Sequence, residues 1–285
     1  MSAAAPMVPK RSSPRPVESA AGSAWLRPLM EGPLRRVRVV GASGPACYVR
    51  VGETEMVAVE TAGGARLPNA LTVDGLAGLA VDADGMIGDG TLRIADRTVA
   101  IRRWWDPHPR VGVVDPAVLL RGRDHLPSTP PHEHQAFGLR APIHRLHDAA
   151  RRRDHHAVAA IVADLVGRGP GSTPAGDDVL AGLLATLRVC GDPSDTDAGR
   201  FADAVALHTA RAAHRTTTLS ATLLRCADDG AVVHAAGRVL RALAGHGDLD
   251  PAVGALAAVG HTSGRDLLTG ITIAVDLLTT GRTRT

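Results

Sequence analysis

Aromatic side chains are nearly missing from this chain: three Trp, two Phe and one Tyr stand among 285 residues. A core for so long a chain must then be assembled from Ala, Val and Leu, with small side chains and close backbones in place of large rings. Lysine is scarcer still, Lys10 being the only one, so arginine carries the basic charge, a bias of composition rather than of chemistry. The formal net charge of +3 is small for this length. The arginines form neither one long run nor a recognition motif, which argues against a nucleic-acid partner. Their densest patch, Arg151-Arg152-Arg153, reads as the solvated face of a starting helix. Cys47, Cys190 and Cys226 show neither paired metal spacing nor a disulfide framework. They fit buried thiols in a reducing, cytoplasmic compartment. No apolar run reaches membrane-spanning length, so no membrane partner is expected. No apolar stretch follows Lys10, Arg11 and Arg15 either, and residues 1–24 read as a disordered Pro/Ser/Ala-rich leader.

What is present changes period along the chain. Between Leu34 and Arg103, short apolar runs alternate with glycines. Arg36–Val40, Ala46–Val51, Met56–Glu60 and Leu67–Val73 read as strands, and Thr91–Ile94 and Thr98–Arg102 flank a hairpin at Ala95-Asp96-Arg97. No helix-length segment separates them, which favours a small barrel or sandwich over parallel α/β. Residues 25–109 are therefore expected to form a small β-rich domain. A Pro/His-rich connection covers 110–143 and carries His125, His132 and His134. His132-x-His134 has the look of a metal pair, but the proline density better fits an exposed or irregular segment. From His144 onward the period turns helical, with helices expected at 144–166, 174–189, 197–214, 217–228, 231–245, 250–258 and 263–280. The expected fold class is thus α+β, a β-rich barrel or sandwich followed by a mostly helical domain over 144–285.

Two related motifs in the helical part draw the functional reading. The first runs from Gly167 to Gly182, Gly-Arg-Gly-Pro-Gly-Ser-Thr-Pro-Ala-Gly-Asp-Asp-Val-Leu-Ala-Gly. Gly167, Gly169 and Gly171 make a loop that can gather backbone amides, and Thr173 can cap a helix beginning at Pro174. Asp177 and Asp178 then fall in the first turns, where the helix dipole alone would favour them, about 100° apart around the axis. The second motif, Gly260-His-Thr-Ser-Gly-Arg-Asp-Leu-Leu-Thr-Gly270, has capping-box spacing between Ser263 and Asp266. Capping leaves His261 and Thr262 unexplained, and His261 is a candidate general acid or base. Gly176-x-Asp178-Val-Leu-x-Gly182 aligns with Gly264-x-Asp266-Leu-Leu-x-Gly270. The repeat suggests two equivalent helix starts across one cleft, a favourable place for a small phosphate or carboxylate, with a divalent cation as a further option. Between them, Arg215 and Ser220 in Arg215-Thr-Thr-Thr-Leu-Ser220 can bind an oxyanion, or one threonine can simply cap a helix. No Walker loop, dinucleotide fingerprint or nucleophile elbow is present.

Over most of residues 35–280 the chain resembles the AllH-like family, first defined as a domain of unknown function. The family pattern Gly-x-Gly-Pro-Gly-Leu-Thr-Pro-Ser-Gly-Asp-Asp-x-Leu-x-Gly is carried by Gly167 through Gly182, the later Gly-His-Thr-Ser-Gly-x-Asp-x-Leu-x-Gly by Gly260 through Gly270, and the hydroxyl segment more weakly by Thr217 through Ser220. Ser172 stands for the usual leucine and Ala175 for the usual serine, so one hydroxyl is missing and identity of substrate does not follow. One member is a subunit of a bacterial oxamate carbamoyltransferase. The resemblance implies carbamoyl transfer between an oxamate-like amide and phosphate in purine or allantoin catabolism, alongside dissimilar subunits. In that scheme Gly169, Gly171, Thr173, Gly176, Thr262, Ser263 and Gly264 hold an anionic substrate, Arg215 and Ser220 assist, His261 moves a proton, and Asp177, Asp178 and Asp266 orient the donor or a metal. Two other readings remain open: a different phosphate- or carboxylate-handling enzyme, and a non-catalytic binding or assembly subunit.

Overall fold

The computed structural model describes residues 17–128 and 133–280. Its N-terminal part is a closed barrel of β1 Val17–Ser23, β2 Arg35–Ser43, β3 Ala46–Val51, β4 Glu55–Glu60, β5 Ala70–Thr72, β6 Asp84–Gly88, β7 Thr91–Ile94 and β8 Arg97–Trp105. The order around it is β1-β5-β4-β3-β2-β6-β7-β8, parallel at β1–β8 and β4–β5 and antiparallel elsewhere. The barrel-or-sandwich expectation thus resolves to a barrel, which leaves no open sheet edge. Alternating residues fill it: Val37 and Val39 on β2, Val49 and Val51 on β3, Val57 and Val59 on β4. β-branched side chains suit this pleated interior and supply the bulk that rings would otherwise provide.

β1 begins inside the segment expected to be a disordered leader; residues 1–16 lie outside the described residues. Its sequence, Val-Glu-Ser-Ala-Ala-Gly-Ser, has little strand preference of its own. Pairing with β8 along its whole length holds it in the sheet. β6 was also not apparent in the sequence, and is held by β2 on one side and β7 on the other.

The helices are α1 Arg27–Glu31, α2 Pro116–Gly122, α3 Glu133–Ala136, α4 Arg140–Arg152, α5 Val158–Leu165, α6 Ala175–Cys190, α7 Thr196–Arg211, α8 Thr218–Asp228, α9 His234–Leu243, α10 Leu249–Ala257 and α11 Ser263–Thr279. The single helix expected over 144–166 is two, broken at Arg153 with φ of 54°. The arginine patch accordingly ends a helix instead of starting one, and Arg153 reaches Asp195 at 2.5 Å. The connection expected to be irregular contains α2, α3 and the start of α4. Asp115 caps α2 by accepting from the Ala117 amide at 2.8 Å, directly before Pro116 at the first helical position.

α11 is buried along most of its length and crosses α6 at the centre of the helical core. The barrel rests on these helices through β4. Its interior-facing valines alternate with Met56, Ala58 and Glu60, which are buried as well because that outer face lies against α8. At this seam the Met56 amide donates to Thr222 Oγ1 at 3.1 Å, and the His234 amide donates to the Arg66 carbonyl at 3.2 Å.

Candidate functional site

The repeated glycines meet backbone. A Cβ on Gly182 would lie 2.2 Å from the Leu267 carbonyl oxygen of α11, and one on Gly270 would lie 2.0 Å from the Val179 carbonyl oxygen of α6. The two helices therefore press into each other reciprocally. The earlier glycine of each motif does a second job. Gly176 sits against the Leu165 carbonyl that ends α5, and Gly264 against the Leu256 carbonyl near the end of α10. Their amides are already engaged, Gly176 donating to Arg168 O at 2.9 Å and Gly264 to Val259 O at 3.0 Å. The amides of Asp177 and Asp178 donate to Pro174 O, and those of Arg265 and Asp266 to Thr262 O. The helix starts thus offer fewer free amides to an anion than the spacing suggests.

Packed this way, the helix starts meet. Thr173 Oγ1 and Ser263 Oγ are 2.9 Å apart. Beside them opens a cavity of about 830 Å³, lined by Gly171, Thr173 and Asp178 from the first motif and by His261, Thr262 and Ser263 from the second. The barrel closes another side with Ala46, Tyr48 and Glu60. Among the described residues no arginine lines this space, and Lys10 lies outside them.

Asp178 is the acid of the first motif that reaches the cavity. It is 5 % exposed, and its Oδ2 has no hydrogen-bond partner. Burial holds its pKa well above the usual carboxylate range, and the nearby charges of Asp266 and Asp177 push the same way. Hydrogen bonds from Ser263 and Thr173 pull only partly in the other direction. Glu60, which sequence reasoning missed, is 1 % exposed and has an unpartnered Oε1. Burial raises its pKa against bonds from the Arg66 and Leu67 amides. Its signal was present but faint: an acid in register with Met56 and Ala58, closing an apolar strand before Gly63-Gly64.

The remaining predicted residues lie off the cavity. Asp177 ties loops together, its Oδ1 accepting from the Gly167 amide at 2.9 Å and its Oδ2 from Ser220 Oγ at 2.8 Å and from Thr216 Oγ1. Burial raises the Asp177 pKa, partly offset by these three bonds. Ser220 is thereby committed to Asp177. Arg215 is exposed and does not line the cavity, and its carbonyl abuts Gly167. Gly169 lies against the Ala175 backbone.

The expected capping also differs. Pro174 is the N-cap of α6 and Thr262 that of α11, each without a side-chain cap bond. Thr173 and Ser263 turn to each other, and Asp266 turns to a histidine. His134 Nε2 lies 2.5 Å from Asp266 Oδ1, both residues at most 1 % exposed. His134 was expected on an exposed or irregular stretch, but α3 carries it into the core; its sequence neighbour His132 lies outside the described residues. Asp266 Oδ2 and His134 Nδ1 have no partner. Thr217 does cap α8, accepting from the Ser220 amide at 3.0 Å. Among the described residues no group of three or more His, Cys, Asp or Glu is arranged to hold a metal ion.

Both motifs fall in one segment with a known relation: residues 165–275 match the family described as oxamate carbamoyltransferase subunit AllH. This segment is AllH-like. No curated protein and no solved structure matches the chain. The AllH-like segment runs from the end of α5 into α11, so it contains the reciprocal glycine crossing, the Thr173–Ser263 contact and the buried acids Asp177, Asp178 and Asp266. His134, which pairs with Asp266, and Glu60, which lines the same cavity as Asp178, come from outside it. No helix among the described residues is long and apolar enough to cross a membrane.

Proposed function

We propose that this chain is an AllH-like component of an oxamate carbamoyltransferase-type enzyme of nitrogen catabolism, with the cavity as its small-molecule site. The observation that carries this reading is the meeting of the segment's two ends at one space, through Thr173, Ser263 and Asp178. In this proposal Asp178 orients the amide of the donor, Thr173 and Ser263 supply hydroxyls, and His261 at the exposed rim takes the carboxylate end or moves a proton. Asp177 and Asp266 act through positioning, since both are held by other side chains.

One feature favours a binding role within a larger assembly. A phosphate acceptor brings negative charge, and no arginine among the described residues lines the cavity to meet it. That charge would be met by dissimilar subunits, consistent with the family's description as a subunit. Three buried, unpaired cysteines suit a cytoplasmic setting for the assembly.

The test is reconstitution with candidate partner subunits, assayed for oxamate- and phosphate-dependent carbamoyl transfer. Activity is expected only in the assembly, with a loss of about 100-fold or more for Asp178→Asn if it orients the reacting group. Full activity of an Asp178→Ala assembly would remove the cavity from the reaction.

A further inference from the structure

The cavity is much larger than a two-carbon amide acid needs, and away from the polar motifs it changes character. Ala181 and Ala185 on α6, Leu223 and Ala227 on α8, and Ala236 and Leu240 on α9 all line it. Each pair is four residues apart, so each helix turns one continuous face to the same space. All four alanines stand among buried apolar residues of the same helices, at positions where a longer apolar side chain would fill the void. Protein interiors leave few voids larger than a water molecule. A space of about 830 Å³ is the size that holds a ligand and shapes it.

The polar end gives an independent constraint. Asp178 Oδ2 is buried without a partner where Thr173 and Ser263 meet the cavity, and Glu60 Oε1 is buried without a partner on the barrel side of it. We infer that the cavity takes a primary amide larger than oxamate, its polar head against the carboxyl of Asp178 beside Thr173 and Ser263 and its apolar body against the faces of α6, α8 and α9. A neutral carboxyl can donate O–H to the amide carbonyl and accept N–H from the same amide, so one group satisfies both ends of the head. Burial raises the pKa of Asp178, which favours that neutral form. An anionic head would face a buried acid with no arginine among the described lining residues.

The inference rests on the cavity being the substrate site and adds the size and polarity of what enters it. Calorimetric titration of the full chain with acetamide, butyramide and hexanamide tests it, with hexanoate and oxamate as separate arms. Affinity is expected to rise about fourfold per added methylene, and hexanoate is expected to bind at least about tenfold more weakly than hexanamide at neutral pH. Ala185→Leu, which fills the apolar end without touching the carboxyls, should flatten the series. Should that variant not fold, the wild-type series still decides. A flat wild-type series, or hexanoate equal to hexanamide, overturns the inference. Oxamate binding beside a flat alkyl series sinks the apolar body alone and leaves the oxamate reading standing. A steep alkyl series without oxamate binding does the reverse.

Discussion

The starts of α6 and α11 carry the same sequence device and put it to different uses. Gly176 and Gly264 each admit the end of the preceding helix, and Gly182 and Gly270 each admit the partner helix. In packing, the two motifs are interchangeable. In chemistry they part at the acid. Asp178 stands beside two hydroxyls at a cavity, whereas its counterpart Asp266 is closed off by His134. The asymmetry comes from outside the repeat: α3 delivers a histidine to one side, and β4 delivers Glu60 to the other. A repeated motif here encodes a repeated crossing, and the surroundings assign the chemistry.

That comparison can be broken from either side. The largest effect is expected at His134, where His134→Ala leaves Asp266 buried without its partner and should cost about 3–5 kcal/mol of stability, read by urea unfolding. Wild-type stability in that variant would mean the pair is incidental. Next come the glycines. Gly182→Ala and Gly270→Ala place a methyl about 2 Å from backbone of the other helix, and each should cost about 3 kcal/mol. Equal penalties support the reciprocal crossing, while a large one beside a negligible one would show that only one motif sets it.

A third effect separates the acids by pH. Asp178, Glu60 and Asp177 have raised pKa values, so the stability they contribute is complete below their unfolded values near about 4 and is lost as pH rises through their folded values. Asp276 behaves oppositely. Burial raises its pKa, but hydrogen bonds from His147 and Arg123 outweigh that and lower it. Its contribution is present above its unfolded value and is lost as pH falls through its folded value. Asp178→Asn mimics the neutral acid and should flatten the decline above about pH 5, gaining about 1.4 kcal/mol for each unit by which the wild-type pKa is raised. An unchanged slope in pH-dependent unfolding would show that Asp178 is not held neutral. The smallest effect is expected from Thr173→Val, which removes the hydroxyl contact to Ser263 and should cost about 1 kcal/mol in the same assay.

Much of the fold was legible because it depends on local period. β3 and β7 begin and end where the apolar alternation does, and α6 to α11 fall within a few residues of their helical segments. β1 was not legible, since Ser, Ala and Glu form that strand only when β8 is beside it. At the site, the two motifs were visible as Gly/Asp spacing, and Asp178, Thr173, His261, Thr262, Ser263 and Gly171 do line one space. Arg215 was placed there on charge alone, yet its side chain is exposed away from the cavity. Asp177 could not be told from Asp178 in sequence, because which face of α6 meets the Gly167 loop and which meets α11 is a matter of packing.

The sequence by itself determined the β-then-α order, the two glycine-marked helix starts and a core built from small apolar side chains. These follow from periodicity, steric access and composition, all local or additive properties. Tertiary structure alone decided that the barrel closes, that His134 joins Asp266 and Glu60 reaches the cavity from far away in the chain, and that Asp178 rather than Asp266 meets the cavity. Those outcomes depend on which faces pack together, and burial then decides which carboxyl has its pKa raised and which finds a partner.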